Sequence, residues 1–390
     1  MDIKTYVQIL HDKSFFDFDK MKHKYRNDFA EFLTVLKEIE YKKIPVMDFK
    51  GNRAVYLKNY VDHNVETVKL MTYVQNSNSY SFIAAEDEIT ASNAIESINF
   101  SRESIRNILR GLAPKNAMEN RILGQKKGLE FIADRSNTIT EKNLYRLYMM
   151  MVGDFLPKED RLQYGNYYRH DSVYVVGDKV QHTGLGHRKL AEYMSRFVEF
   201  INEKDDISDF EKGAIIHFYM VHIHPYFDGN GRMARMLHLW FLIQKGYGAT
   251  LFVPFSSLIE RDRNAYYKAI SQVETNQKIS GCLDITPFIK YFSDYVYSQI
   301  PENMSGAQTF DRYEQALKAG DITEKETQLW AFVLSHYGTG EFSTKQLEKD
   351  FGNAAYATIR GFVLKFEQLE LLTGQKYGNR VKYSVNDNTK

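Results

Sequence analysis

At 390 residues the chain is too long for one simple core, so two or three domains are expected. Its 43% hydrophobic and 26% charged residues are those of a globular protein, and a net charge of +1 excludes a global field pulling it toward nucleic acid or membrane. The single cysteine, Cys282, excludes an intrachain disulfide; with no secretory start at Met1-Asp2-Ile3-Lys4-Thr5 and no bilayer-length apolar run, the expectation is a soluble cytoplasmic protein. Only 7 prolines against 53 Tyr and Phe (27 plus 26) favour long, rarely broken helices.

In chain order, Asp28 to Glu40 places Phe29, Phe32, Leu33 and Leu36 at helical spacing. Gly51-Asn52 breaks the chain ahead of a strand reaching Leu57. One helix is expected over 83–112, then helices over 117–134 and 140–152, the latter capped by Thr140. Residues 173–182 read as a hairpin turning at Gly177-Asp178. Helix returns over 187–202. Ser208-Asp209-Phe210-Glu211 has the form of a capping box for a helix to Ile223, which Pro225 stops. A further helix runs from Gly231 to Lys245, and others are expected over 258–274 and 286–299. Pro301 to Gly306 has a linker's composition. The last stretch, 321–390, reads as three helices (from Thr323, over 343–351 and over 354–371) and a β-hairpin, which is a winged-helix pattern. Domain limits follow at 1–115, 116–300 and 310–390.

The chemistry lies in His224-Pro225-Tyr226-Phe227-Asp228-Gly229-Asn230-Gly231-Arg232-Met233-Ala234-Arg235. This string joins two helices. The amides opening the second helix, flanked by glycines, form an anion site. Arg232 and Arg235, three apart, project from nearly one face and suit a polyphosphate. Asp228 beside that nest would repel phosphate unless a cation such as Mg²⁺ lies between them. His224, with a near-neutral pKa, is placed to take a proton from a hydroxyl. The bland alternative is a helix joint with a buried histidine and surface arginines. About seven fixed positions make a chance match on the order of one in a billion per start position. A metal centre built on His217, His222 and His224 is the other rival. It fares poorly, because His217 and His222 are five apart and no acidic residue stands at ligand spacing, so packing or surface histidines are expected there.

The string resembles the signature of the Fic family, His-Pro-Phe-x-(Asp/Glu)-Gly-Asn-Gly-Arg-x-x-Arg, with Tyr226 standing for Phe. The surroundings from about 120 to 295, including Tyr266-Tyr267, resemble a Fic core. The resemblance implies a mainly α fold: a helical Fic core with a β-hairpin flap, a helical N-terminal region and a C-terminal winged helix. It implies a protein adenylyltransferase that moves AMP from ATP, with Mg²⁺, to a Ser, Thr or Tyr hydroxyl of a target protein or of the chain itself. His224 would be the base and Asp228 the Mg²⁺ ligand. Gly229, Asn230 (through its side chain) and Gly231 would cradle the α- and β-phosphates. Arg232 would contact the β- and γ-phosphates, Arg235 the γ-phosphate, and Tyr266 the nucleotide. The hairpin at 173–182 matches the family's flap, which clamps a target segment by strand addition.

Ser92-Asn93-Ala94-Ile95-Glu96-Ser97 resembles the family's inhibitory motif, (Ser/Thr)-x-x-x-Glu-(Gly/Asn), departing at Ser97. The resemblance implies that Glu96, on one helix face with Ser92, pairs with Arg235 and displaces the γ-phosphate. AMP removal with Glu96 orienting a water, transfer of another phosphate-linked group, and a nucleotide-sensing DNA-binding regulator remain alternatives, and a homo-oligomer is left open. For 321–390, nine acidic and nine basic residues leave no net charge, so protein recruitment stands narrowly ahead of DNA binding.

Overall fold

A computed structural model describes residues 1–61, 82–176, 180–247, 253–299, 312–313, 315–317, 319–337, 341–378 and 380–386. It opens with α1 (Ile3–Leu10), α2 (Phe18–Lys24) and α3 (Phe29–Ile39). Asp2 and Asp17 cap the first two by accepting from the amides of Thr5 and Lys20. All four apolar positions expected of α3 are buried, and they pack with Phe15 and Phe18 in a small core. Strands β1 (Lys42–Met47) and β2 (Arg53–Tyr56) form an antiparallel hairpin near Gly51, whose φ is +89°. The turn and β2 match expectation. The sequence reading missed β1, which buries Ile44 and Val46 on either side of an exposed Pro45.

The single helix expected over 83–112 is two, α4 (Phe82–Ile95) and α5 (Arg102–Leu109). The break is a Schellman motif: Ser97 N–H bonds to Ala94 C=O at 2.9 Å, and Ile98 N–H to Asn93 C=O at 2.9 Å. Ser97 takes the left-handed position with φ 59°, and Ser101 then caps α5. Next come α6 (Ala117–Ala133) and α7 (Glu141–Met151), the latter capped by Thr140 as expected. Strands β3 (Tyr174–Val176) and β4 (Val180–Thr183) pair as the expected hairpin, and its turn, Gly177-Asp178, lies outside the described residues.

Then follow α8 (Leu190–Asn202), α9 (Asp209–Ile223), α10 (Asn230–Gln244), α11 (Phe255–Arg261), α12 (Arg263–Ser280) and α13 (Thr286–Tyr291). The helix expected over 258–274 divides at Asp262, whose carboxylate caps α12 through the Ala265 amide. The α9 and α10 helices are apolar around most of their circumference and therefore form the centre of the main core. They approach closely, since a Cβ on Gly213 would lie 2.8 Å from His238 Nε2. The candidate site is the loop between them. The expected linker at 301–306 lies outside the described residues.

The last unit holds α14 (Glu324–His336), α15 (Thr344–Phe351), α16 (Tyr356–Gln368) and the hairpin of β5 (Leu372–Tyr377) with β6 (Arg380–Val385). Both N-termini of α14 and α15 carry reciprocal capping boxes, Thr323 with Glu326 and Ser343 with Gln346. Phe342 bridges to Tyr383 beside the hairpin. Leu329, Val333, Leu347, Ile359, Phe362 and Phe366 belong to a core of this unit's own. Among the described residues, no helix is long and apolar enough to cross a membrane.

Candidate active site

Helix α9 ends on His224, whose φ of 56° and ψ of 62° are left-handed, a conformation uncommon for any residue but glycine. Arg169 braces this turn. Its Nε donates to the His224 carbonyl at 2.8 Å, Nη1 to that of Asp171 at 2.6 Å, and Nη2 to that of Leu185. Its own amide bonds to Pro225 C=O at 3.0 Å. Burial lowers the Arg169 pKa to about 10, so the guanidinium stays charged. Gly184 lets the foot of the flap reach this cluster, because a Cβ there would lie 2.8 Å from Arg169 Nη2 and 3.0 Å from His224 Cβ. The sequence reading missed both residues, since no spacing pattern connects them to the loop.

The loop is stapled internally. Tyr226 N–H donates to Asn230 Oδ1 at 2.9 Å, and Asn230 Nδ2 donates to Tyr226 C=O at 2.8 Å. This differs from the expected phosphate contact by the Asn230 side chain: a buried amide is best satisfied by the backbone of its own loop. Tyr226 is fully buried and stacks on Tyr148 at 3.7 Å with rings 6° apart, so the Phe-to-Tyr exchange keeps the packing. Gly229 is required twice over. Its φ is +78°, and a Cβ would lie 2.6 Å from Val152 Cγ2.

No side chain caps the N-terminus of α10, which leaves its first amides facing the loop. Arg232 Nη2 lies 3.1 Å from Asp228 Oδ2, whose side chain is 59% exposed. Arg235 is held by α4: Nε donates to Ser92 Oγ at 3.0 Å, and Nη2 to Ser92 C=O at 2.9 Å and to Glu96 Oε1 at 2.8 Å. The predicted Ser92, Glu96 and Arg235 constellation is therefore brought together. Glu96 is the cap residue just beyond α4, where one mid-helix face was expected. A Cβ on Gly231 would lie 2.2 Å from Glu96 Oε1, so the carboxylate sits on the anion nest itself. Asn93 and Gln125 exchange amide hydrogen bonds at 2.7 and 3.1 Å, locking α4 to α6. Two buried donors, Arg232 Nε and Arg235 Nη1, have no partner among the described residues.

His224 Nδ1 lies 3.2 Å from Val221 C=O, the geometry of an N–H donating to that carbonyl, which leaves Nε2 as the basic nitrogen. Burial first, then neighbouring His182, lower its pKa to about 4, where a near-neutral value was expected. Tyr266 also departs from expectation. It is buried, and its hydroxyl is 2.9 Å from His217 Nε2, so a core histidine already takes its polar end. His217 is thereby a satisfied packing histidine, as expected, whereas His222 is buried with neither ring nitrogen hydrogen-bonded among the described residues.

The helix–loop–helix joint thus brings an uncapped helix N-terminus, two arginines and a histidine together in one place. Residues 138–242 match the Fic/DOC family model. Over 180 residues it is 30% identical to "Protein adenylyltransferase Fic" from Drosophila yakuba, covering 45% of this chain and 32% of that protein. The Drosophila ananassae protein of the same name is likewise 30% identical over 180 residues. The matched stretch thus spans about a third of those relatives' length. Among solved structures, a Fic family protein from Desulfovibrio desulfuricans aligns over 79% of this chain and 87% of its own at 17% identity, with a TM-score of 0.46. A Fic domain containing signaling protein from Bacteroides thetaiotaomicron covers 58% and 85% at 20% identity, with a TM-score of 0.44.

Proposed function

We propose that this chain is a protein adenylyltransferase that moves AMP from ATP to a Ser, Thr or Tyr hydroxyl of a protein, held in check by Glu96. The observation carrying this reading is the convergence of Arg232 and Arg235, each with a buried donor that has no partner among the described residues, on the uncapped N-terminus of α10. A polyphosphate satisfies all of these groups together. The name of the Drosophila relatives supports the same reaction.

In this reading the Gly229 to Gly231 backbone cradles the α- and β-phosphates. Arg232 meets the β- and γ-phosphates, and Arg235 meets the γ-phosphate once Glu96 has left it. The hydroxyl oxygen bonds to the α-phosphorus while His224 Nε2 takes its proton. The bond from that phosphorus to the β-phosphate oxygen breaks, and pyrophosphate leaves. Asp228, an exposed carboxylate at the loop's mouth, supplies the hard oxygen that Mg²⁺ prefers, and bound Mg²⁺ would neutralise phosphate charge. The exposed Tyr174 edge of the flap suits strand addition by a target segment.

Mass spectrometry of wild type, Glu96→Gly and His224→Ala after incubation with ATP and Mg²⁺ tests the reaction. Gain of one AMP by a protein substrate or by the chain itself, enhanced in the first variant and lost in the second, supports it. Label carried by γ-labelled ATP would instead mean phosphate transfer. AMP removal is a second reading, because Glu96 interacts electrostatically with His224 across the loop. Release of label from AMP-modified protein, dependent on Glu96, would favour it.

We read 310–390 as a winged helix that recruits protein, with domain limits near 115 and 300. Lys365 is bound to Glu326 at 2.8 Å and Lys382 to Glu341 at 3.1 Å, which removes two of the charges a DNA phosphate would need. The outer face of α16 presents Tyr356, Thr358, Arg360 and Leu364. The lone cysteine supports a cytoplasmic setting.

A further inference from the structure

We propose that His182, His222 and Glu274 form a transition-metal site, best matched to Zn²⁺, that fastens the flap to the core beside His224. The three come from different elements: β4 of the flap, the last turn of α9, and α12. Their ligand atoms lie within 4.8 Å of one another. His182 Nδ1 is 2.6 Å from Glu274 Oε1, and His222 Nδ1 is 3.9 Å from the same oxygen.

His222 is the residue that asks for a ligand. It is 5% exposed, and neither ring nitrogen has a hydrogen-bond partner among the described residues. Such an imidazole is costly to bury unless something meets its nitrogens. Phe49 stacks on it at 4.3 Å and 21°, and Phe218 at 5.4 Å and 17°, so the ring is held in plane with its Nδ1 edge toward Glu274. His182 shows the matching second-sphere arrangement. Its Nε2 lies 2.8 Å from the His222 carbonyl, and an N–H donated there leaves the Nδ1 lone pair directed at Glu274.

Two imidazole nitrogens and one carboxylate oxygen suit Zn²⁺, whereas Mg²⁺ and Ca²⁺ prefer oxygen alone. Three protein ligands leave a fourth position for water. The metal-free alternative is a plain ion pair between protonated His182 and Glu274. That pair explains the 2.6 Å contact but leaves His222 Nδ1, the nitrogen a metal would meet, without a hydrogen-bond partner among the described residues. Because His182 and His224 are 6.0 Å apart between ring centres, a metal here would fix the base of the flap beside the proposed catalytic histidine.

The test uses the full, untagged chain stripped with chelator and titrated with Co²⁺ under visible absorption, then with Zn²⁺. About one equivalent of a tetrahedral Co²⁺ complex, displaced by Zn²⁺ and accompanied by a rise in Tm, is expected. Glu274→Gln, which keeps the side chain's shape, and His182→Ala should each weaken binding at least about tenfold. Asp228→Asn should leave the coloured complex in place, which separates this site from the loop. Absence of a coloured complex, or one unaffected by both Glu274→Gln and His182→Ala, overturns the site regardless of whether the chain transfers AMP.

Discussion

Arg235 and Glu96 meet at 2.8 Å across 139 residues of sequence, a guanidinium that is 1% exposed bound to a carboxylate that is 30% exposed. The pair is asymmetric: the cation is built into the core, while the anion sits at a helix end and can be withdrawn. Replacing Glu96 by Gly removes the anion from Gly231 and frees Arg235 for a phosphate. AMP incorporation should rise about 5- to 150-fold, the range of a typical coupling energy. Stability should fall by about 1–3 kcal/mol, since the arginine keeps Ser92 but loses its counter-charge. ATP with Mg²⁺ should then raise the variant's Tm more than the wild type's. Equal labelling rates in the two proteins would refute the brake.

Ser97 carries the left-handed turn that ends α4, with φ 59°. Glycine adopts that conformation without the Cβ penalty, so Ser97→Gly should stabilise the chain by about 1 kcal/mol, less a little for the exposed Arg263 to Ser97 Oγ contact at 3.2 Å. A better-formed cap also holds Glu96 more firmly, so labelling should not increase. Urea unfolding checks the first expectation, and a lower midpoint would contradict it.

Much of the site was legible because its residues are contiguous: turn, nest and arginines all lie in His224 to Arg235. The Ser92 to Glu96 segment could be placed only through its resemblance, as nothing local ties it to Arg235. Arg169, Gly184 and Glu274 left no trace in the sequence, because each acts through tertiary contacts alone. The break after Ile95 went unseen since a serine holds the position where glycine would have marked it. Pro45 similarly disguised β1. Tyr266 and Asn230 were placed on the right elements, but the direction of a side chain depends on which buried partner claims it.

His224 has its pKa lowered to about 4, chiefly by burial. The neutral imidazole is the competent base, so activity should be lost only as pH falls through that value. In the Glu96→Gly variant, kcat/KM should stay flat from pH 8 to about 5, with an acid limb near 4 instead of the 6.5 of an ordinary histidine. Bound triphosphate favours the imidazolium and should move the limb of kcat upward. Stability follows the same sign: the folded pKa lies below the unfolded one, so this histidine's contribution is complete above about 6.5 and declines toward 4, at up to about 1.4 kcal/mol per pH unit. A kcat/KM limb at 6.5 would contradict the burial argument.

Arg169 touches no part of the phosphate nest, yet three backbone carbonyls, including that of His224, converge on it. Truncation leaves the left-handed histidine without its anchor and removes one of the links between the flap and the loop. Arg169→Ala, placed in the Glu96→Gly background, should lower kcat about 100-fold through misplacement of the base, while the Kd for ATP changes little. Loss of charge-assisted bonds to buried carbonyls should cost about 3 kcal/mol of stability or more. Arg169→Lys should rescue neither property, because one ammonium cannot reach three acceptors in a planar fork. A drop in ATP affinity with kcat preserved would instead assign Arg169 to nucleotide binding, and a fully folded variant with unchanged kcat would remove it from the positioning of His224.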